Sequence, residues 1–182
     1  MRRRTFDLLL TWVGVLLTVG LLGAGALLLV GYNFDNSSVH NQLAKEKVYF
    51  PTATELKGMP SEITAFLSPY AGQQVVNGRQ AEVFADHYIA VHLKELAGGK
   101  TYSQLSATCL ANPSDTATCN AATKYFQGDT LRGLLLNAYA FWTFGVIAMY
   151  SSIACFVLGL LMLLFTLLGF RHYRVADPSE TL

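Results

Sequence analysis

The chain has 182 residues and a formal net charge of +1, room for one modest domain with anchors and no basic excess with which to bind nucleic acid. Hydrophobic residues make up 52% and charged residues 14%, against about 25% charged in soluble domains, which argues against an ordinary water-soluble globule. The charge is also unevenly placed. Arg2, Arg3 and Arg4 precede one long apolar run, Arg171 and Arg174 follow another, and the stretch between Gly31 and Gly133 holds eight Lys/Arg against nine Asp/Glu.

Residues 1–7 read as a short cytoplasmic lead. The first apolar run, Leu8 to Val30, has 23 uncharged residues, and a bilayer-crossing helix needs roughly 20, so a transmembrane helix is expected over 8–31. Arg2 to Arg4 and Ala24-Gly25-Ala26 also fit a cleaved signal peptide, but the run continues through Leu27 to Val30, favouring a retained anchor. Trp12 and Tyr32 are placed as interfacial aromatics at its two ends. Gly14, Gly20, Gly23, Ala24, Gly25 and Ala26 make the helix surface suited to close contact with another helix.

An extracytoplasmic helical domain is expected over 32–133. Ser37 or Ser38 is positioned to cap a short helix carrying Val39 and Leu43 on one face. That helix should end before Phe50-Pro51, because a residue before proline favours an extended backbone. The stretch from Pro51 to Gly78 is the least regular, with a helix start at Pro60-Ser61-Glu62 and an Asn77-Gly78 turn signal. Arg79 to Leu96 has the strongest helical pattern, with Val83, Phe84, His87, Tyr88 and Val91 on its packed face and Glu82, Asp86 and Lys94 on its solvated one. Gly98-Gly99 stops it, Thr101 or Ser103 caps the next helix, and a further helix starts near Thr116 or Thr118. At Gly128 the pattern allows either one kinked helix or two.

The second apolar run, Leu134 to Phe170, holds no charged residue in 37 positions. Fully helical, it would measure about 56 Å at 1.5 Å per residue, more than a hydrocarbon core of roughly 30 Å. Residues 134–170 are therefore expected to combine a juxtamembrane extension, whose Leu134-Leu135-Leu136 joins the domain core, with transmembrane helix 2. Tyr139, Phe141, Trp142 and Phe144 read as the outer aromatic belt. Residues 171–182 form a cytoplasmic tail, frayed from Val175 onward. Ser151, Cys155 and Gly159 recur every four residues, and antiparallel pairing at matched depth sets Gly20 against Cys155 and Ala24 against Ser151. An oligomer interface competes for that small-residue seam. By the positive-inside rule both termini are cytoplasmic.

Cys109 and Cys119, ten residues apart across Asn112-Pro113, are expected to form a structural disulfide stapling two helices, in the oxidising compartment that this topology supplies. Reduced thiols and a redox pair are the competing readings, the latter opposed by a spacing unlike that of a thioredoxin-type site. His87 and His92 lie about 140° apart on a helix, unlike the i, i+4 pair of a zinc helix, so neither a metal site nor a cofactor is expected. No phosphate loop, nucleophile elbow or HExxH motif is present. Neither apolar run contains Asp, Glu, Lys or Arg, which weighs against an ion or proton pathway.

The whole reads as all-α: two antiparallel transmembrane helices with a small disulfide-stapled helical domain inserted between them. The function expected is non-enzymatic, with the domain binding a partner protein as an accessory or assembly subunit, or a second copy of the chain. A sensor or lipid- or small-ligand-binding module is the alternative, and a metal-dependent enzyme a more distant one. The segments Met1-Arg2-Arg3-Arg4-Thr5-Phe6-Asp7, Tyr70-Ala71-Gly72-Gln73-Gln74, Ile89-Ala90-Val91-His92-Leu93-Lys94 and Thr130 to Tyr139 resemble an actinobacterial family of small two-span membrane proteins. Some of its members carry an aromatic-ring-opening dioxygenase label; no 2-His-1-carboxylate iron site emerges from this sequence. The resemblance implies a bacterial plasma-membrane setting and supplies no catalytic residues.

Overall fold

The computed structural model describes residues 3–175, with side chains from Thr5 onward. Arg2, the side chains of Arg3 and Arg4, and the expected tail beyond Val175 lie outside the described residues. The fold is all-α, with no strand among the described residues. Its elements are α1 (Arg3–Glu46), α2 (Ala53–Leu56), α3 (Ser61–Leu67) with a 3₁₀ turn at Ser68–Tyr70, α4 (Gly78–Phe84), a π-helical turn at Ala85–Ile89, α5 (Ala90–Leu96), α6 (Tyr102–Ala111) and α7 (Thr116–Val175). α1 and α7 are each long and apolar enough to cross a membrane. The chain divides into a helix-pair unit, bounded at Phe34 and Gly145, and a helical domain, Asp35–Phe144.

α1 is continuous where a break was expected. Ser37 and Ser38 cap nothing; they lie inside a helix that runs to Glu46. The reason is periodic. Thr11, Thr18, Gly25 and Tyr32 recur every seven residues along one half-buried or buried stripe, Val39 and Leu43 are buried at i, i+4 in the domain core, and a break between the two stretches would have orphaned four backbone groups on each side. Lys47, at φ 52°, then ends it. The chain continues as a short extended segment in which Val48 O accepts from Val75 N–H at 2.9 Å and Phe50 N–H donates to Gln73 O at 2.9 Å.

The domain core gathers Val39 and Leu43 from α1, Phe50, Leu56, Ile63 and Leu67, Val75, Ala81, Val83, Phe84 and Ile89, Leu93, and Leu135 of α7. α2 is a single turn held by a capping box, Thr52 and Glu55 each bonding the other's backbone. Asn77-Gly78 is a helix start rather than a turn: Asn77 Oδ1 accepts from Gln80 N–H at 2.9 Å. The expected Arg79–Leu96 helix is present but takes one extra residue at Ala85–Ile89. α5 stops at Gly98-Gly99, both at positive φ, with Gly99 N–H on Lys94 O and Gly98 N–H on Glu95 O, the two bonds of a Schellman close. Thr101 caps α6 with Gln104 as its reciprocal partner.

Ala97, Leu105 and Ala122, with Tyr125 against them, form a smaller separate core. There Cys109 and Cys119 are joined, with Cα atoms 4.9 Å apart. At the start of α7, Asp115 accepts from Thr118 N–H at 3.1 Å and Thr118 Oγ1 at 2.6 Å. The Thr118 hydroxyl bond, then the backbone bond, holds the Asp115 carboxyl below its ordinary value. A depressed folded-state pKa gives stabilisation that is complete above the unfolded value, near 4, and is lost as pH falls through the depressed one. Acid titration followed on the Thr118 amide resonance should show fraying of this first turn below about pH 4. Asp115→Asn, which retains an acceptor, should remove that pH dependence.

Candidate functional site: the helix-pair seam and the outward face of α7

Small residues set how α1 and α7 meet within the helix-pair unit. On α7, Gly145, Ser152, Gly159 and Thr166 recur every seven residues and all are buried; on α1 their counterparts are Thr11, Gly14, Thr18 and Gly25. A seven-residue repeat keeps one stripe facing the partner helix. Side chains added at the glycines would strike the opposite helix: a Cβ at Gly14 would lie 2.6 Å from Thr166 Oγ1, one at Gly159 2.8 Å from Leu22 Cδ2, and one at Gly169 2.9 Å from Thr11 Oγ1. Ser152, only 1% exposed, donates from Oγ to Gly25 O at 2.7 Å.

This register corrects the expected one. A Cβ at Gly25 would lie 3.3 Å from Cys155 Cβ, whereas Gly20 has nothing within 4 Å and Ala24 is exposed. The partner of Cys155 is thus displaced by five residues, roughly 7.5 Å at 1.5 Å per residue. Matching depth from the ends of two apolar runs cannot supply that precision. Cys155 and Gly159 do face α1, but Ser152 replaces Ser151 as the buried serine. Gly25→Cys should therefore cross-link to the native Cys155 under mild oxidation, since disulfide Cβ atoms lie about 3.5–4.5 Å apart. Gly20→Cys should not, as read by mobility under non-reducing electrophoresis after a single cleavage between residues 25 and 155.

Near the two chain ends the seam becomes polar. Asp7, Thr11, Thr166 and His172 line a groove of about 410 Å³ with an otherwise mostly apolar lining. Thr11 Oγ1 donates to Asp7 O at 2.7 Å. His172 Nε2 stands 3.7 Å from Asp7 Oδ2, and Asp7 Oδ2 and Thr166 Oγ1 are buried with no hydrogen bond among the described residues.

In the helical domain, α7 has two faces between residues 125 and 144. Gly128, Leu135, Ala138 and Trp142 turn inward. Trp142, expected at the membrane interface, packs on Gly78 of α4, where a Cβ would strike Trp142 Cβ and lie 2.6 Å from its Cγ. Tyr139 stacks beside it, with ring centroids 6.2 Å apart. Trp12 remains exposed and Tyr32 is half-buried. The opposite face carries Phe126, Leu134, Phe141 and Phe144, exposed by 55, 63, 53 and 65%, within about 80° of one another at 3.6 residues per turn. Leu135 and Leu136 join the core as expected, while Leu134 faces out.

The remaining polar candidates do not converge. Asp86, expected in solvent, accepts from Arg132 Nη2 of α7 at 2.7 Å. His87 stacks on Phe66 with centroids 3.5 Å apart, and His92 Nδ1 pairs with Tyr88 O at 2.8 Å. The π-helical turn that holds Asp86 and His87 left no pattern in the sequence, because one inserted residue disturbs the helical period too little to see. No group of three or more His, Cys, Asp or Glu is placed to hold a metal among the described residues. Comparison of the chain with protein-family models, curated proteins and solved structures finds no match.

Proposed function

We propose that the chain is an integral membrane protein with two antiparallel spans, and that its helical domain docks a partner protein through the outward face of α7. The observation that carries this reading is the stripe Phe126, Leu134, Phe141 and Phe144, a row of large apolar side chains exposed on the side of α7 away from the domain core. Exposed apolar side chains gathered on one helix face mark protein or membrane contacts; the exposed Thr130 and Asn137 interrupt this row. The domain's own concavity, about 350 Å³ and lined by polar as well as apolar groups such as Lys57, Ser61, Leu56 and Met59, favours protein docking over a buried apolar ligand. Arginines flanking both apolar runs support cytoplasmic ends, and the disulfide supports an oxidising location for residues 32–133. The setting suggested is a bacterial plasma membrane, as the resemblance to small two-span actinobacterial proteins implies, and the role that of an accessory or assembly subunit.

A photo-reactive amino acid placed singly at Phe126 or Leu134 and irradiated in native membranes should give one discrete heavier species. The same probe at exposed Lys94 or Lys57 should give none. A species at twice the chain mass would identify a second copy as the partner. Equal smears from all four positions, or lipid adducts alone, would contradict protein docking.

A further inference from the structure

The groove between the ends of α1 and α7 presents an uneven set of polar groups. Thr166 lines the groove and is 5% exposed, and its hydroxyl has no hydrogen bond among the described residues. Asp7 contributes a carboxylate oxygen in the same condition, because His172 Nε2 at 3.7 Å is beyond hydrogen-bond reach. The Thr11 hydroxyl spends its proton on Asp7 O, so a lone pair is what remains. A mostly buried carboxylate held only at ion-pair distance by an exposed imidazole is under-satisfied, and among the described residues this set offers it no N–H donor within hydrogen-bond reach.

The rest of the lining, including Leu10, Leu17 and Phe165, suits hydrocarbon rather than a hydrated ion. A volume of about 410 Å³ is that of a small-molecule site. We propose that this groove binds a membrane phospholipid whose headgroup carries a primary ammonium, with the ammonium on Asp7 and Thr166 and one acyl chain along the apolar wall. Arg171 and Arg174, at the same end of α7, supply positive charge for the lipid phosphate. The inference rests on the membrane-spanning reading above.

The full chain, purified in mild detergent, is titrated separately with phosphatidylethanolamine, phosphatidylcholine and phosphatidylglycerol, and bound lipid is counted by native mass spectrometry. A charge-assisted hydrogen bond of the strength typical in proteins corresponds to about tenfold in affinity. Phosphatidylethanolamine should therefore bind about tenfold more tightly than phosphatidylcholine, whose quaternary nitrogen has no N–H, and than phosphatidylglycerol, which has no amine. Asp7→Asn should abolish the preference, and Thr166→Val, which keeps the shape packed on Gly14, should weaken it. Equal binding of all three lipids, an unchanged preference in Asp7→Asn, or no bound lipid would overturn the inference. Carbonate extraction of the same chain from membranes separates the two failures: release into the supernatant would sink the spanning reading, whereas headgroup indifference in a chain that stays with the lipid sinks only this one.

Discussion

Gly78→Leu should unfold the packing of the helical domain. The first residue of α4 lies so close to α7 that even a methyl group there would strike Trp142 Cβ and meet Cγ and Cδ2 at 2.6 and 2.9 Å. The indole has little freedom to withdraw, being stacked beside Tyr139 and packed on the main core. Overpacking of this kind costs about 1–3 kcal/mol, occasionally more, so Gly78→Ala should lower the midpoint of thermal unfolding by roughly 5–15 °C and Gly78→Leu by more. The chain has two tryptophans, so in a Trp12→Phe background the emission of Trp142 reports on this contact alone. The pair should also couple: in a Trp142→Gly background, which removes the Cβ, Cγ and Cδ2 that a methyl at Gly78 would meet, Gly78→Ala should cost little beyond Trp142→Gly itself. Additive losses, or an unshifted midpoint in Gly78→Ala, would mean that α4 and α7 do not meet there.

Loss of the Cys109–Cys119 bond should loosen one part of the domain and spare the other. The bond closes a loop of ten residues between α6 and α7, for which chain entropy suggests about 2–3 kcal/mol. The core beneath it is small: Ala97, Leu105 and Ala122, with Tyr125 against them. The main core, from Val39 to Leu135, does not include either cysteine. Reduction, or replacement of both cysteines by serine, should therefore raise amide hydrogen exchange in α6 by roughly 30- to 150-fold and leave α4 and the π-helical turn protected. This is the pattern of local opening in a segment of low contact density. Uniform acceleration over the whole domain would make the bond a global staple instead; no change would make it dispensable.

What the sequence disclosed follows from the range of the interactions involved. Val39 and Leu43 share a face at i, i+4, and both are buried, because helical period is written in consecutive residues. Gly98-Gly99 and Thr101 mark a helix end and the next helix start for equally local reasons. The cysteine pair was legible from its spacing and the turn between its members. The turn at α2 carries an equally local signal, the Thr52-x-x-Glu55 capping box.

Register was not legible. Small residues are common enough along both apolar runs that a four-residue repeat through Ser151, Cys155 and Gly159 stands out first, while the repeat buried in the fold is the seven-residue one through Ser152, Gly159 and Thr166. The contact of Trp142 with Gly78 was no more legible, because an aromatic at the end of an apolar run suits a membrane interface as well as a glycine notch, and only the fold brings Gly78 beneath it. The Asp86–Arg132 pair joins residues 46 positions apart, a contact that no local pattern encodes. Neither does the polar end of the helix-pair groove, whose Asp7, Thr11, Thr166 and His172 come from opposite ends of the sequence.

The sidedness of the chain is the claim on which the rest depends, and cysteine labelling reads it directly. In a Cys155→Ala background that retains the disulfide, single cysteines at exposed Lys57 and at exposed Arg174 are treated with a membrane-impermeant maleimide in intact cells. The account predicts labelling at Lys57→Cys before permeabilisation and at Arg174→Cys only after it. Labelling of both positions from outside, or of Arg174→Cys alone, would contradict it.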